Sequence, residues 1–282
     1  MQKARKFLTV LFFNFPILIT ILHMLRYYLG FISYSFSMIN NSTYIGGYMF
    51  AQQEIARGRH MVIKNILKKL LKSKKKNNQI IDILEIGSYC GESTIMMGNF
   101  LKKKISFNIT CVDIWKSYEQ NHSNSFYLSK FHKNLKNGNV FRLFKHNIKT
   151  SRLSNNVKII KGDSNKVLKK IKKKFDLVFI DGSHSYKYVK NDIKNSLSKL
   201  KNNGILVIDD YEQSHKDSRH LNLKKMALDD NIDSFYDHKT KKNMHPGVTL
   251  AVFEMLGNIK NFNGLLALKF KNKKFENLNR IL

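Results

Sequence analysis

"DILEIGSYCGEST", residues 82–94, decides the fold. Ile83, Leu84 and Ile86 make an apolar run short enough for a buried strand. The run breaks at Gly87, and after Gly91 the segment Glu92-Ser93-Thr94 has the look of a helix start. Such a unit sets free backbone N–H groups at the carboxyl end of a strand, and glycine lets a ligand come close to the chain. The spacing Gly-x-x-x-Gly lacks the third glycine of a dinucleotide fingerprint and the Gly-Lys-Ser/Thr of a phosphate loop. Glu85 would also repel a pyrophosphate. The turn therefore suits a cationic or zwitterionic ligand, with Glu85, Gly87, Ser88, Tyr89, Gly91 and Ser93 as its candidate lining.

Outward from this unit, apolar runs alternate with lysine-bearing amphipathic segments. Strands are expected near 80–86, 107–113, 157–161, 175–181 and 204–209, and helices near 92–103, 124–137, 164–173 and 185–200. That alternation implies an α/β fold, a Rossmann-like, mostly parallel sheet with helices on both faces. "FDLVFID", residues 175–181, is apolar on both pleat faces between Asp176 and its last residue, as a central strand should be. A helical cover is expected within 41–79, from the spacing of 51–72, ahead of a main domain at 80–282. Residues 211–245 read as a polar loop of lid type. After it come a helix at 248–256 and a closing antiparallel hairpin of strands near 258–262 and 264–271.

The chain has 20 acidic residues against 50 basic ones, and Glu85, Asp113, Asp163, Asp181, Asp209 and Asp210 all fall at or just after strand ends. In an open α/β sheet that edge is where ligands bind. Asp113 is placed to accept from ribose hydroxyls, and Asp163 with Ser164 to meet an adenine amine. Asp181, Asp209 and Asp210, from adjacent strands, form an oxygen set that suits Mg²⁺. Helix capping by Asp181 or Asp210 is the plainer alternative. His184, in "DGSH", sits above the same strand end as a candidate base or acceptor contact, beside Asp181 as its catalytic partner. Tyr89 and Trp115 are candidate stacking rings. Tyr186 and Tyr211 are candidates for the acceptor pocket, while His215, His220 and His245 fall in or at the end of the loop.

Together, "EIGSYCGEST", "VDIW", "KGDS" and the stretch from "FDLVFIDGSHSY" to "GILVIDDY" resemble class I S-adenosylmethionine-dependent methyltransferases. The nearest likeness is to the group of macrocin O-methyltransferases and cephalosporin-hydroxylase-like proteins. The resemblance covers about residues 80–212. It implies a seven-stranded sheet, the methionine part of the cofactor in the Gly87–Gly91 turn, and ribose on Asp113. It also implies adenine beside Asp163 and Ser164, with Asp181 near the cofactor, and Mg²⁺-assisted methylation of a small-molecule hydroxyl on a sugar or glycosylated metabolite. A sulfonium accounts for Glu85.

The net charge of +30 invites nucleic acid as a partner, and so a nucleic-acid methyltransferase or binder as a rival reading. The lysines lie in scattered runs without an arginine-rich recognition motif, and an acid-lined cleft is a poor path for a phosphate backbone. A non-catalytic cofactor-binding scaffold on a membrane is the second rival. Cys90 and Cys111 are too few for a disulfide framework and read as reduced core residues. Residues 7–25, within a hydrophobic segment at 1–40, carry no Asp, Glu, Lys or Arg, which is long enough to span a bilayer. A cofactor made in the cytosol favours a cytoplasmic domain with residues 1–36 lying on the membrane surface over a spanning anchor.

Overall fold

The computed structural model describes residues 16–45, 57–75, 79–116, 133–212, 217–229, 232–237, 242–262, 264–272 and 274–278. They fall into two units, 1–55 with 115–151, and 56–114 with 152–282.

In the first unit, α1 (Pro16–Ile39) is followed by a short extended stretch. Tyr44 bonds the Gly30 carbonyl through its hydroxyl (3.0 Å), while its backbone exchanges two bonds of 2.9 Å with the Asn147 side chain. Asn147 lies in a helix that the chain reaches only after the first elements of the second unit. In the second unit α2 (Arg57–Lys75) precedes β1 (Ile81–Ile86), α3 (Glu92–Leu101) and β2 (Phe107–Asp113). The chain then returns to the first unit for α4 (Asn139–Thr150), which carries Asn147. Val140, Leu143, Phe144 and Ile148 form the buried face of α4, spaced as an amphipathic helix requires. The helix expected at 124–137 lies largely outside the described residues.

The second unit continues with β3 (Val157–Lys161), α5 (Ser164–Lys170), β4 (Phe175–Ile180), α6 (Tyr186–Leu197) and β5 (Leu200–Ile208). It closes with α7 (Asp217–Leu228), β6 (Phe235–Asp237), β7 (Lys242–Met244), α8 (Pro246–Leu256), β8 (Leu266–Lys271) and β9 (Lys274–Asn277). The seven-stranded sheet has the order β3-β2-β1-β4-β5-β8-β9, parallel as far as β5 and antiparallel beyond it. All residues of β1 and β4 are buried, which explains why apolar side chains fill both pleat faces and only Asp82, Glu85 and Asp176 interrupt them. From β1 the chain steps outward to β2 and β3, then returns to β4 and steps the other way. Right-handed crossovers in opposite directions set α3 and α6 on opposite faces and open a crevice at the β1/β4 carboxyl ends.

The expected fold is borne out, with local corrections. The closing hairpin pairs β8 with β9. Residues 258–262 form no strand, because Phe262 and Leu265 make only an isolated bridge that leads into β8. The segment read as a polar loop contains α7 and the β6–β7 ribbon. Leu223 and Ala227, one helical turn apart, are buried along α7, too short an apolar stripe to stand out in so charged a segment. Among the described residues no helix is long and apolar enough to cross a membrane.

Candidate active site at the carboxyl edge

Glu85 governs the turn between β1 and α3. Its carboxylate is fully buried and accepts from Ser88 Oγ (3.0 Å), from the hydroxyls of Ser93 and Thr94, and from Cys111 Sγ (3.4 Å). Burial pushes its pKa up, and the donated bonds oppose that shift. The carboxylate that sequence reading turned toward a ligand is thus engaged by the chain's own hydroxyls. Glu85, Ser88 and Ser93 hold the turn in shape.

Gly87 has a φ of 87°, and a Cβ there would stand 2.0 Å from the Asp181 carbonyl oxygen. Only glycine permits this approach of the β1 and β4 ends. Tyr89 is also left-handed, with φ 44°, and its N–H donates to Asp113 Oδ2 (2.9 Å), so the end of β2 is tied to the turn. Asp163 caps α5 by accepting from the Asn165 N–H (2.9 Å). Ser164 bonds Asp192 of α6, a residue that sequence reading passed over. Burial pushes the Asp192 carboxyl up to about 7, with Ser164 opposing. Trp115 belongs to the first unit, where its ring packs on Phe141 (4.7 Å) and Phe144 (4.8 Å) and is 1% exposed.

Over β4 and β5, ligand oxygens of Asp181, Asp209 and Asp210 lie within 4.8 Å of one another. Into this set α2 delivers Arg59. Its Nη1 lies 2.9 and 3.0 Å from the two Asp209 carboxylate oxygens, and its Nη2 donates to Asp210 Oδ1 at 2.7 Å. Arg59 was invisible in the sequence because it stands in a lysine-rich helix far from every motif. Burial and Asp210 raise the Asp209 pKa to about 6, with Arg59 pulling against them. Asp210 is held well below the usual carboxylate range: burial raises it, but His184, Arg59 and His245 outweigh burial. Asp181 is raised by burial and by both neighbouring carboxylates.

His184 stands between Asp210 Oδ2 (3.1 Å) and Asp233 Oδ1 (3.1 Å). Burial lowers its pKa, yet the bonds to these carboxylates prevail and raise it to about 10. In this arrangement the ring already holds a proton at neutral pH, so it is not poised as a base. His245 lies beside it, ring centres 4.0 Å apart. Gly247 makes that possible, since a Cβ there would meet the His184 carbonyl at 2.2 Å. Tyr186 bonds Glu254 on the surface, and Tyr211 is buried with its hydroxyl on the Ile259 carbonyl (2.8 Å). His215 and the side chain of His220 lie outside the described residues.

Residues 84–211 match the family model described as a methyltransferase domain, and the match spans the turn, Asp113, Asp163 and the acid set. A methyltransferase domain thus occupies the part of the chain that holds the site. Structures similar to this methyltransferase include a Staphylococcus aureus protein proposed to be a caffeoyl-CoA O-methyltransferase. It is 16% identical, with 86% of this chain and 92% of that one covered and a TM-score of 0.44. Cofactor-bound Rv0187 from MTB is 13% identical, covering 79% and 93% with a TM-score of 0.43. TomG, an O-methyltransferase of Streptomyces achromogenes involved in tomaymycin synthesis and solved with S-adenosylmethionine, is 15% identical, covering 74% and 75% with a TM-score of 0.40. No curated protein matches the sequence.

Proposed function

We propose that this methyltransferase moves the methyl group of S-adenosylmethionine to a hydroxyl of a small molecule, a sugar or glycosylated metabolite. The observation that carries the reading is the meeting of two halves at the β1/β4 crevice. One half is the glycine turn with Asp113, and the other is the charged set of Asp181, Asp209, Asp210 and Arg59. In this reading the turn and Gly91 at the start of α3 receive the methionine part, Asp113 the ribose, and Asp163 with Ser164 the adenine side. The acceptor oxygen attacks the methyl carbon, the carbon–sulfur bond breaks, and S-adenosylhomocysteine leaves. The hydroxyl proton must be taken up, and Asp181 is better suited to it than His184. Its raised pKa makes it a stronger base than an ordinary carboxylate.

Asp181, Asp209 and Asp210 fit Mg²⁺ in donor chemistry, being three carboxylates within reach of one another. When bound there, the ion supplies positive charge that lowers the pKa of an acceptor hydroxyl. Arg59 already donates to two of these acids, which favours a second reading in which the guanidinium supplies that charge and no metal is needed. Attachment of residues 1–36 to the cytoplasmic face of a membrane belongs to the same proposal. Its support is the exposure of Leu25, Leu29, Ile32, Phe36 and Ile39 on α1. Nucleic acid is a poor fit to the acid-rimmed crevice.

Calorimetric titration of the full chain with S-adenosylmethionine tests the cofactor half. Wild type binds, and Asp113→Ala weakens binding at least tenfold. No binding by wild type, or unchanged binding by the variant, overturns the reading. Release of S-adenosylhomocysteine over a panel of hydroxylated small molecules, with Mg²⁺ or with a chelator, then separates the two acceptor schemes. Turnover abolished by the chelator favours Mg²⁺, and turnover indifferent to it favours Arg59.

A further inference from the structure

Asp233 and His245, which flank β6 and β7, bring two further ligand-type residues to the edge of the acid set. Ligand atoms of His184, Asp233 and His245 lie within 4.8 Å of one another, and Asp210 stands beside them. The hydrogen bonds fix how each ring is turned. His245 Nδ1 is 2.9 Å from the Asp233 carbonyl oxygen. A carbonyl can only accept, so Nδ1 carries the hydrogen, and in the neutral ring the lone pair sits on Nε2. That Nε2 faces Asp210 Oδ1 at 3.9 Å, too far for a hydrogen bond. His184 differs: Nδ1 lies 3.1 Å from the Asp233 carboxylate and Nε2 lies 3.1 Å from Asp210 Oδ2, so the protonated ring donates from both nitrogens and a metal at Nε2 would take the place of that proton. Asp233 therefore orients both imidazoles, one through its side chain and one through its backbone, and both Nε2 atoms turn to the same carboxylate.

We propose that His184 Nε2, His245 Nε2 and the Asp210 carboxylate bind one first-row divalent transition metal, with Asp233 as the residue that positions both rings. Ligand atoms bound to one ion at about 2.0–2.2 Å lie roughly 3–3.5 Å apart, and the observed separations of 3.1 and 3.9 Å stand close to that. Two imidazoles and one carboxylate select the zinc, cobalt, nickel and iron range over Mg²⁺, whose preference is oxygen. Imidazole ligands whose other nitrogen donates to a carboxylate or a carbonyl are the usual arrangement around such ions. The site shares only Asp210 with the oxygen triad and does not depend on Mg²⁺ there. An ion bound here would fasten the ends of the β6–β7 ribbon to the carboxyl ends of β4 and β5.

Cobalt(II) is the probe, added to the full chain after metal stripping, with its visible absorption as the readout. The expected result is a saturable band system that millimolar Mg²⁺ does not displace. It is lost in His245→Gln and His184→Gln, weakened about 10–100-fold in Asp233→Asn, and retained in Asp181→Asn. Absence of bands in wild type, or bands that survive both histidine substitutions, overturns the proposal. So does a band lost in Asp181→Asn and displaced by Mg²⁺, which would place the ion in the oxygen triad. Asp233 is exposed, so its variant keeps the test decisive should a histidine variant fail to fold. Calorimetry with S-adenosylmethionine on the same samples reports separately on the cofactor site.

Discussion

The two ends of the parallel sheet use the same side-chain chemistry to opposite effect. At the amino end, Asp82 of β1 and Asp176 of β4 are matched by three lysines. Lys74 lies 2.7 Å from Asp176, Lys173 lies 2.6 Å from Asp82, and Lys201 reaches both at 2.9 and 2.8 Å. Burial pushes Asp82 up, but the bonds from Lys173, Lys201 and Asn108 prevail and hold it below its ordinary value. At the carboxyl end, three carboxylates share one guanidinium and one protonated imidazole, and their pKa values spread in both directions. Cations in excess make a clamp; acids in excess make a site that holds protons and has an appetite for positive charge.

Removing the lone guanidinium should show the contrast most strongly. Arg59→Met is expected to cost about 2–3 kcal/mol near pH 7.5, since it takes the guanidinium from buried Asp209 and half-buried Asp210, with a discount for the partial exposure of the arginine. In a thermal melt that is a fall of roughly 5–10 °C. The cost should shrink near pH 5, where Asp209, already pushed up to about 6, takes a proton. An equal loss at both pH values would mean that packing, not charge, is what Arg59 supplies.

Asp192, close below the same edge, extends the contrast to pH. Its folded pKa of about 7 lies above the ordinary 3.8, so the folded state binds the extra proton. The stability it lends is full below about pH 4 and is lost as pH rises to about 7, by on the order of 2 kcal/mol or more. Denaturant melts across that window should show a falling slope in wild type that Asp192→Asn flattens. A slope unchanged in the variant would assign the effect to another group.

Acid removal should have opposite signs at the two ends. Asp181→Asn relieves like-charge crowding and is expected to raise stability by about 1 kcal/mol, whereas Asp176→Asn leaves lysines unmatched and lowers it by about the same amount. Paired urea titrations decide this, and a shared sign would erase the distinction. The smallest effect belongs to Lys201→Met, expected to cost under about 1 kcal/mol and to fade in high salt, because Lys74 and Lys173 still serve the two acids.

The parallel sheet was legible because β1 and β4 are buried on both faces and carry apolar residues on both, and because Gly87 must be glycine. Strand-end acids were legible from spacing, but their partners were not. Nothing local in the sequence distinguishes Arg59 from the lysines around it, and Asp233 and His245 meet His184 only after α7 and a ribbon have folded in between. The intrachain partners of Glu85 and Asp163 were hidden for a related reason. A carboxylate at a strand end reads the same whether it faces a ligand or accepts from hydroxyls and N–H groups of its own turn. Local pattern records which face is buried, and a single sequence does not record who sits opposite.

Cys111 touches Glu85 from β2, and Cys90 lies in the turn itself; both thiols are fully buried and raised well above their ordinary pKa, first by burial and then by nearby acids. In the closed state neither is a useful nucleophile. Alkylation by an external reagent must therefore wait for the turn to open, and the labelling rate becomes a built-in clock for that opening. Slower labelling with S-adenosylmethionine present would time the turn's closure around its ligand without any introduced probe.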